Sequence, residues 1–436
     1  MAELRAKYQQ YEEYKDSDIE WLGKIPKNWI STQVKYGFTV VLGKMLQTTP
    51  KSNADLLKPY LKAQNIQPFG VDLTNVGSMW FSADERKRLL LKKKDVLVSE
   101  GGDVGRAAIW NDEIDECYIQ NAINRVRPRY SNDSRFFYYW INYLKATDFI
   151  NIICNKATIA HYTVDKLQGS PLILPSVLEQ VQIANFLDFE TAQIDTLIEK
   201  QQTLIQLLKE KSQAVISHTV TPSENEKSAK LGYFVDLLSG YSFSSEGYKT
   251  ETKGNTALLR GINVGVGVLK WDETVWWSRT DKDGLEAFEL KEGDIVFGMD
   301  RPWISAGARV AEVTKADLPC LLLQRVIRIR SNKDTYQPFI KLCLASKKFK
   351  FSVEADLTGV SVPHISPDQV KSFPIRDVGY EQQKFITDDA FEKMKVLDLI
   401  ENSTEQAIQL MQERRTALIS AAVTGKIDVR GWQAPE

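Results

Sequence analysis

The chain has 436 residues, 43% of them hydrophobic and 26% charged, with a formal net charge of −1. That is the balance of a soluble globular protein of two or three domains, and it excludes a uniformly basic coating of nucleic acid, so any cationic surface has to be local. No apolar run is long enough to span a bilayer, the polar first twenty residues predict no secretory signal, and Cys117, Cys154, Cys320 and Cys343 lack the spacing of a metal site, which predicts reduced thiols in a cytoplasmic protein.

In chain order, residues 20–29 place two tryptophans around a glycine and a proline, which predicts an irregular strap pinned by its aromatics. Residues 34–175 read as short strands and turns. Asp95-Val96-Leu97-Val98-Ser99 is a strand, Glu100-Gly101-Gly102-Asp103-Val104-Gly105 a tight turn, and residues 136–144 a helix. Residues 179–217 then form a helix free of proline and glycine. In it Ile183, Leu187, Glu190, Ile194, Leu197, Gln201, Leu204, Leu208, Lys211 and Val215 step by four and three, a coiled-coil seam.

Residues 221–230 read as a polar linker, after which the same events begin again. His161 and His364 differ by 203, as do Pro171 and Pro374, and residues 320–330 repeat 117–127. The second long helix, over 381–422, places Ile386, Ala390, Lys393, Leu397, Ile400, Thr404, Ala407, Met411, Arg414 and Leu418 at that offset from the first series. The order globule, helix, globule, helix marks an internal duplication. Two such units tend to pack about a twofold axis, with antiparallel helices acting as a ruler between two readers. Helices of about this length span roughly 57 Å or a little more.

Local charge favours DNA as the ligand of the globules. Arg125 and Arg127 in the first, and Arg325 and Arg328 in the second, begin basic stretches interleaved with aromatics, which suit phosphate contact. Lys62-x-x-Asn65 and Arg260-x-x-Asn263 pair a cation with an amide, residue types that match guanine and adenine edges. Lys44, Arg106, Arg301 and Trp303 complete these candidates, with His161 and Tyr162 on one loop tip (158–162) and His364 on the other (359–364). No phosphate-binding loop or methyltransferase motif is present, and the Glu-x-Lys triplets at residues 85, 251 and 289 are expected by chance, so the chain reads as non-catalytic. The alternatives are a stand-alone Mg²⁺-dependent nuclease built on one such triplet, and a coiled-coil scaffold without DNA affinity.

The stretches Tyr14-Lys15-Asp16-Ser17-Asp18-Ile19-Glu20-Trp21-Leu22-Gly23-Lys24-Ile25-Pro26-Lys27-Asn28-Trp29, Leu174-Pro175-Ser176-Val177-Leu178-Glu179-Gln180 and Thr424-Gly425-Lys426-Ile427-Asp428-Val429-Arg430-Gly431-Trp432 resemble the specificity subunit of type I restriction–modification enzymes. Gly240-Tyr241-Ser242-Phe243 and residues 294–300 resemble that family's second recognition domain. The resemblance implies an α+β protein with two homologous target recognition domains separated by two long antiparallel coiled-coil helices with pseudo-twofold symmetry. The expected divisions are 1–178, 179–220, 221–380 and 381–436.

It further implies double-stranded DNA, two methyltransferase subunits and ATP-driven restriction subunits as partners. S-adenosylmethionine, ATP and Mg²⁺ would be held by those partners, with no cofactor or metal on this chain. Ile198, Ile205, Leu207, Ile216, Val396, Leu399, Ile408, Leu410 and Ile419 lie off the seam series and are the expected docking surface. Two departures from a strict repeat are visible: the second long helix lacks a counterpart of Pro175 at its approach, and the linker lacks the Trp-Leu-Gly strap.

Overall fold

The computed structural model describes residues 8–154, 160–222, 226–305, 307–354 and 364–435. Positions 158–159 and 359–363 of the two expected loop tips lie outside the described residues. The chain divides into two compact units, one made of Met1–Lys200 with Gln406–Glu436 and the other of Gln201–Glu405.

We number the strands common to both units. In the first they are β1 (Ile30–Gln33), β2 (Phe38–Leu42), β3 (Leu56–Leu61), β4 (Gly77–Phe81), β5 (Val96–Ser99), β6 (Ala107–Ile109), β7 (Tyr118–Ile119), β8 (Ile123–Pro128) and β9 (Pro171–Leu174). In the second they are β10 (Ser228–Lys230), β11 (Val235–Ser239), β12 (Thr256–Leu259), β13 (Val275–Trp277), β14 (Ile295–Gly298), β15 (Val310–Glu312), β16 (Cys320–Leu322), β17 (Val326–Ser331) and β18 (Pro374–Arg376). A four-stranded sheet runs β6-β5-β8-β2 in the first unit and β15-β14-β17-β11 in the second. A three-stranded sheet runs β7-β3-β4 and β16-β12-β13, parallel at β3–β7 and β12–β16. A two-stranded ladder joins β1 to β9 and β10 to β18. The strand order of one unit is that of the other, nine strands on.

The reasons are local. β5 and β14 are buried along their whole length, as continuous apolar runs require of inner strands. Each follows a turn with positive φ, at Lys94 (72°) and Gly293 (84°). Gly43 and Gly240 repeat because a Cβ at either would collide with backbone, at Gln120 O and Leu323 O.

The helices that matter here are α1 (Ala83–Leu89), α2 (Ser134–Ala146), α3 (Val177–Val220), α4 (Gln337–Ala345) and α5 (Tyr380–Val423). Phe136, Phe137, Tyr139 and Trp140 of α2 point into the core. Each long helix starts on a buried glutamine. Gln180 Oε1 accepts from Asp133 N at 2.9 Å beside α2, and Gln383 Oε1 accepts from Tyr336 N at 2.9 Å beside α4.

Within each unit the two long helices run antiparallel. In the first, Trp432 packs on Phe186 and Phe189 while Arg415 pairs with Asp195 at 2.8 Å. In the second, Lys209 pairs with Glu401 at 3.2 Å, and Ile216 and Val220 share a core with Ala390.

The burial pattern corrects the expected seam. Covered positions of α3 step through Leu187, Thr191, Ile194, Ile198, Gln201, Ile205, Leu208, Ser212, Val215 and Thr219. Those of α5 step through Ala390, Met394, Leu397, Glu401, Thr404, Ile408, Met411, Arg415, Leu418 and Ala422. The heptad and the 203-residue offset hold. One of its two columns sits one residue later than expected, so Leu197, Leu204, Lys211, Lys393, Ile400 and Arg414 face outward.

The strap also differs from expectation. It contains an antiparallel hairpin, Tyr14–Asp16 with Lys24–Pro26, that buries Leu22, Ile25 and Trp29. Tyr14 donates to Gly425 O and Asp428 N to Gln9 O, so the strap and the segment after α5 close one core together. All four cysteines are buried and unbonded, two in each unit.

Candidate nucleic-acid interface

Several expected DNA contacts are committed to the scaffold. Asn65 is buried; its Oδ1 accepts from Lys62 N at 2.8 Å and its Nδ2 donates to Asp72 O at 2.7 Å. Asn263 does the same with Arg260 N at 3.0 Å and Lys270 O at 2.8 Å. Both amides are buried where they build a loop, out of reach of a base, which corrects the base-reading expectation for both.

Arg125 is buried and donates to Arg88 O and Leu90 O at 2.8 and 3.0 Å, capping the carboxyl end of α1. Arg328, also buried, donates to Ala287 O and pairs with Asp236. Burial, reinforced by the neighbouring Arg127 and Arg330 respectively, lowers both guanidinium pKa values from the ordinary range. Arg127 makes a two-pronged ion pair with buried Asp95 at 2.6 and 2.7 Å, mirrored by Arg330 on Asp294.

Lys44 is held by Glu85 Oε2 at 2.6 Å and Gln47 Oε1 at 2.7 Å. Tyr162 is buried with its hydroxyl on Ser170 Oγ at 2.7 Å. Arg106 braces Ala63 O and Arg260 braces Glu273 O. Trp303, half-buried, tilts against Phe349. Lys44, whose three donors are all used, and the buried Tyr162 are thereby removed from a readout role, whereas Arg106, Arg260 and Trp303 keep part of their donor capacity.

Five candidates keep access to solvent, some beside an acid that the sequence did not single out. Lys62 lies over the Tyr60 ring, and His161 is exposed with Nδ1 at 4.0 Å from Glu100. In the second unit, His364 Nδ1 is 2.7 Å from Asp300 Oδ1, and Arg325 Nη1 is 3.3 Å from both. Arg325 is 56% exposed, and the adjacent Arg301 is exposed as well.

A cationic turn escaped sequence reasoning. Arg86, Lys87, Arg88, Lys92, Lys93 and Lys94 fall between 86 and 94 with no acid among them, and all but the first are exposed. The corresponding stretch of the second unit, 285–293, carries Glu286, Glu289 and Glu292 against Lys291. A running charge count along the chain would have found it. Of the Glu-x-Lys triplets, Glu85 is tied into the cap of α1 by Ser82 and Lys44, and Glu289 pairs with Arg279. Among the described residues no group of His, Cys, Asp and Glu is placed to hold a metal ion, and no helix is long and apolar enough to cross a membrane.

The helix faces divide in two. Ile198, Ile205, Ile216, Ile408 and Ile419 are covered by the chain's own helices and cores, which corrects their expected docking role. Leu207 (56% exposed), Leu410 (65%), Val396 and Leu399 stay open, as do Leu197 and Ile400 from the shifted column. Leu207 and Leu410 are one repeat offset apart, as are Leu197 and Ile400.

The family model described as the type I restriction modification DNA specificity domain matches residues 47–209. The type I restriction enzyme EcoAI specificity subunit of Escherichia coli is 36% identical over 149 residues, 34% of this chain and 25% of that protein. The MjaVIII specificity subunit of Methanocaldococcus jannaschii is 22% identical over 93% of this chain and 95% of its own length. Among solved structures, a chain from a study of complex assembly and conformational transition of the type I R-M system superposes with a TM-score of 0.72. It is 12% identical, covering 92% of this chain and 99% of that one. The HsdS subunit from Thermoanaerobacter tengcongensis superposes with a TM-score of 0.55 at 13% identity, over 92% and 98%.

Proposed function

We propose, on the premise that this chain belongs to the specificity subunits of type I restriction–modification enzymes, that each unit reads one part of a bipartite DNA target. The chain itself performs no chemistry. The observation that supports this most is a scaffold repeated strand for strand whose exposed charges differ at corresponding turns, cationic over 86–94 and mostly acidic over 285–293. A structural scaffold has no need of that difference, whereas two readers of different half-sites require it.

In this reading α3 and α5 set the gap between the half-sites, and the divisions at 178, 220 and 380 separate readers from helices. Two methyltransferase subunits dock on the open leucine faces and bring S-adenosylmethionine. ATP-dependent restriction subunits and their Mg²⁺ join through that complex, in the cytoplasm. A competition assay of the full-length chain against duplexes randomised in both halves tests the reading: two short preferred sequences at a fixed separation are expected.

The cationic turn gives a separate expectation. Lys92→Ala, Lys93→Ala and Lys94→Ala combined should reduce the slope of log affinity against log salt by roughly 2–3, without altering sequence preference. An unchanged slope would remove these lysines from the phosphate contacts.

A further inference from the structure

At one turn the two units keep the same backbone bonds and exchange their side chains. In the first, Glu100 N donates to Ala122 O at 2.9 Å and Tyr162 N donates to Glu100 O at 2.8 Å. In the second, Met299 N donates to Arg325 O at 2.9 Å and Ile365 N to Met299 O at 3.0 Å. Ala122 therefore corresponds to Arg325, His161 to His364, and Gly101 and Gly102 to Asp300 and Arg301. Only the histidine is common. Where the first unit presents two glycines and an alanine, the second presents a carboxylate and two guanidinium groups.

Resting on the reading that each unit recognises half of a DNA target, we infer that Arg325 is a base-reading residue of the second unit, positioned by Asp300, with guanine as its target. The guanidinium has five N–H donors in a rigid fork, and the cluster engages only Nη1. The remaining edge matches guanine O6 and N7, an arrangement that a point charge does not reproduce. Asp300 is itself fixed from behind: Arg309 donates to Asp300 O and to Val264 O, each at 2.9 Å, so the carboxylate that aims Arg325 sits on a braced turn. His364 Nδ1 lies 2.7 Å from the same Asp300 oxygen that Arg325 approaches, so the carboxylate is held between the two side chains.

The backbone adds an independent observation. Arg325 has φ +70° and Arg301 φ +43°, in the left-handed region where glycine is the unstrained residue. A side chain held in that conformation points to a role for the side chain, because the fold alone would be better served by glycine.

The test uses the full-length chain in competition against duplexes randomised in the second half-site, together with thermal melting. Arg325→Gly should melt at the same temperature or higher, yet lose about 10- to 100-fold of the preference for one G·C pair, with the first half-site unaffected. Arg325→Lys keeps the charge and should lose most of the same preference. Asp300→Asn should lose part of it.

Full preference in Arg325→Lys would overturn the assignment. So would uniform weakening of all duplexes by Arg325→Gly with the salt slope reduced by about one, the signature of a phosphate contact. A lower melting temperature in Arg325→Gly would make the arginine structural and overturn it as well. A wild-type chain without preference in either half would instead sink the two-half reading itself.

Discussion

Aspartate at both Leu207 and Leu410 should abolish stable association with methyltransferase subunits, a loss of at least about 100-fold, or about 2.7 kcal/mol. The chain's own melting temperature should hardly move. Both leucines are more than half exposed, so the free chain loses little packing when they change. Docking would bury each against an apolar partner, worth roughly 1.5–3 kcal/mol per side chain, and an aspartate there also brings an unpaired charge into the contact. Because the two positions lie one repeat offset apart and in different units, Leu207→Asp alone should leave one of two docking sites and give a complex with a single methyltransferase. Co-purification of both subunits with the double variant at undiminished affinity would refute the assignment. Ile205→Asp and Ile408→Asp make the contrast: both lie on the seam and should lower the melting temperature of the chain itself.

The other large effect is on stability. Asp294 is buried, accepts from Lys291 N at 2.7 Å, and holds Arg330 through both prongs of its guanidinium. Asp294→Ala removes the acceptor for a cation and a backbone N–H at once. Breaking a buried pair of this kind costs about 3–5 kcal/mol. The lower end applies here, because Arg330 is partly exposed and can turn to water. Urea denaturation followed by a probe in each unit should show the second unit unfolding at lower denaturant and the first unchanged. Asp95→Ala should do the reverse. A shift below about 1 kcal/mol would show that Arg330 is solvated well enough without its partner.

The duplication, the sequence of strands and turns, and the two long helices were all legible, because burial periodicity and turn chemistry act over a few residues and the chain repeats them. Which apolar column of each helix faces inward was not. Leu197 and Leu204 look better suited to a seam than Thr191 and Ser212, yet the latter are covered. A helix that is apolar on two faces carries no mark for which face meets its own partner and which meets another chain.

Residue type does not separate a side chain that braces the scaffold from one that faces a ligand. Residue type alone suggests Asn65 and Asn263 as base readers, and both instead build a loop that the two units share. In a duplicated chain the scaffold repeats, and a side chain specific to one unit does not. Asp300, whose counterpart is Gly101, and the cationic turn of 86–94, whose counterpart is acidic, belong to no motif that marks them in the sequence.

The buried thiols make each unit its own reporter. Cys117 and Cys154 lie in one unit, Cys320 and Cys343 in the other. Burial pushes Cys117 and Cys320 up to about 12, so at pH 8 the native chain offers almost no thiolate from either. An unfolded thiol titrates near 8.5, so native stability also falls as pH rises above that value. A maleimide added at pH 8 should therefore react at the rate at which each unit opens, two cysteines at a time. Peptide mapping of the label would time the opening of one reader against the other in an unaltered protein; label arriving on all four cysteines together would show that they open as one.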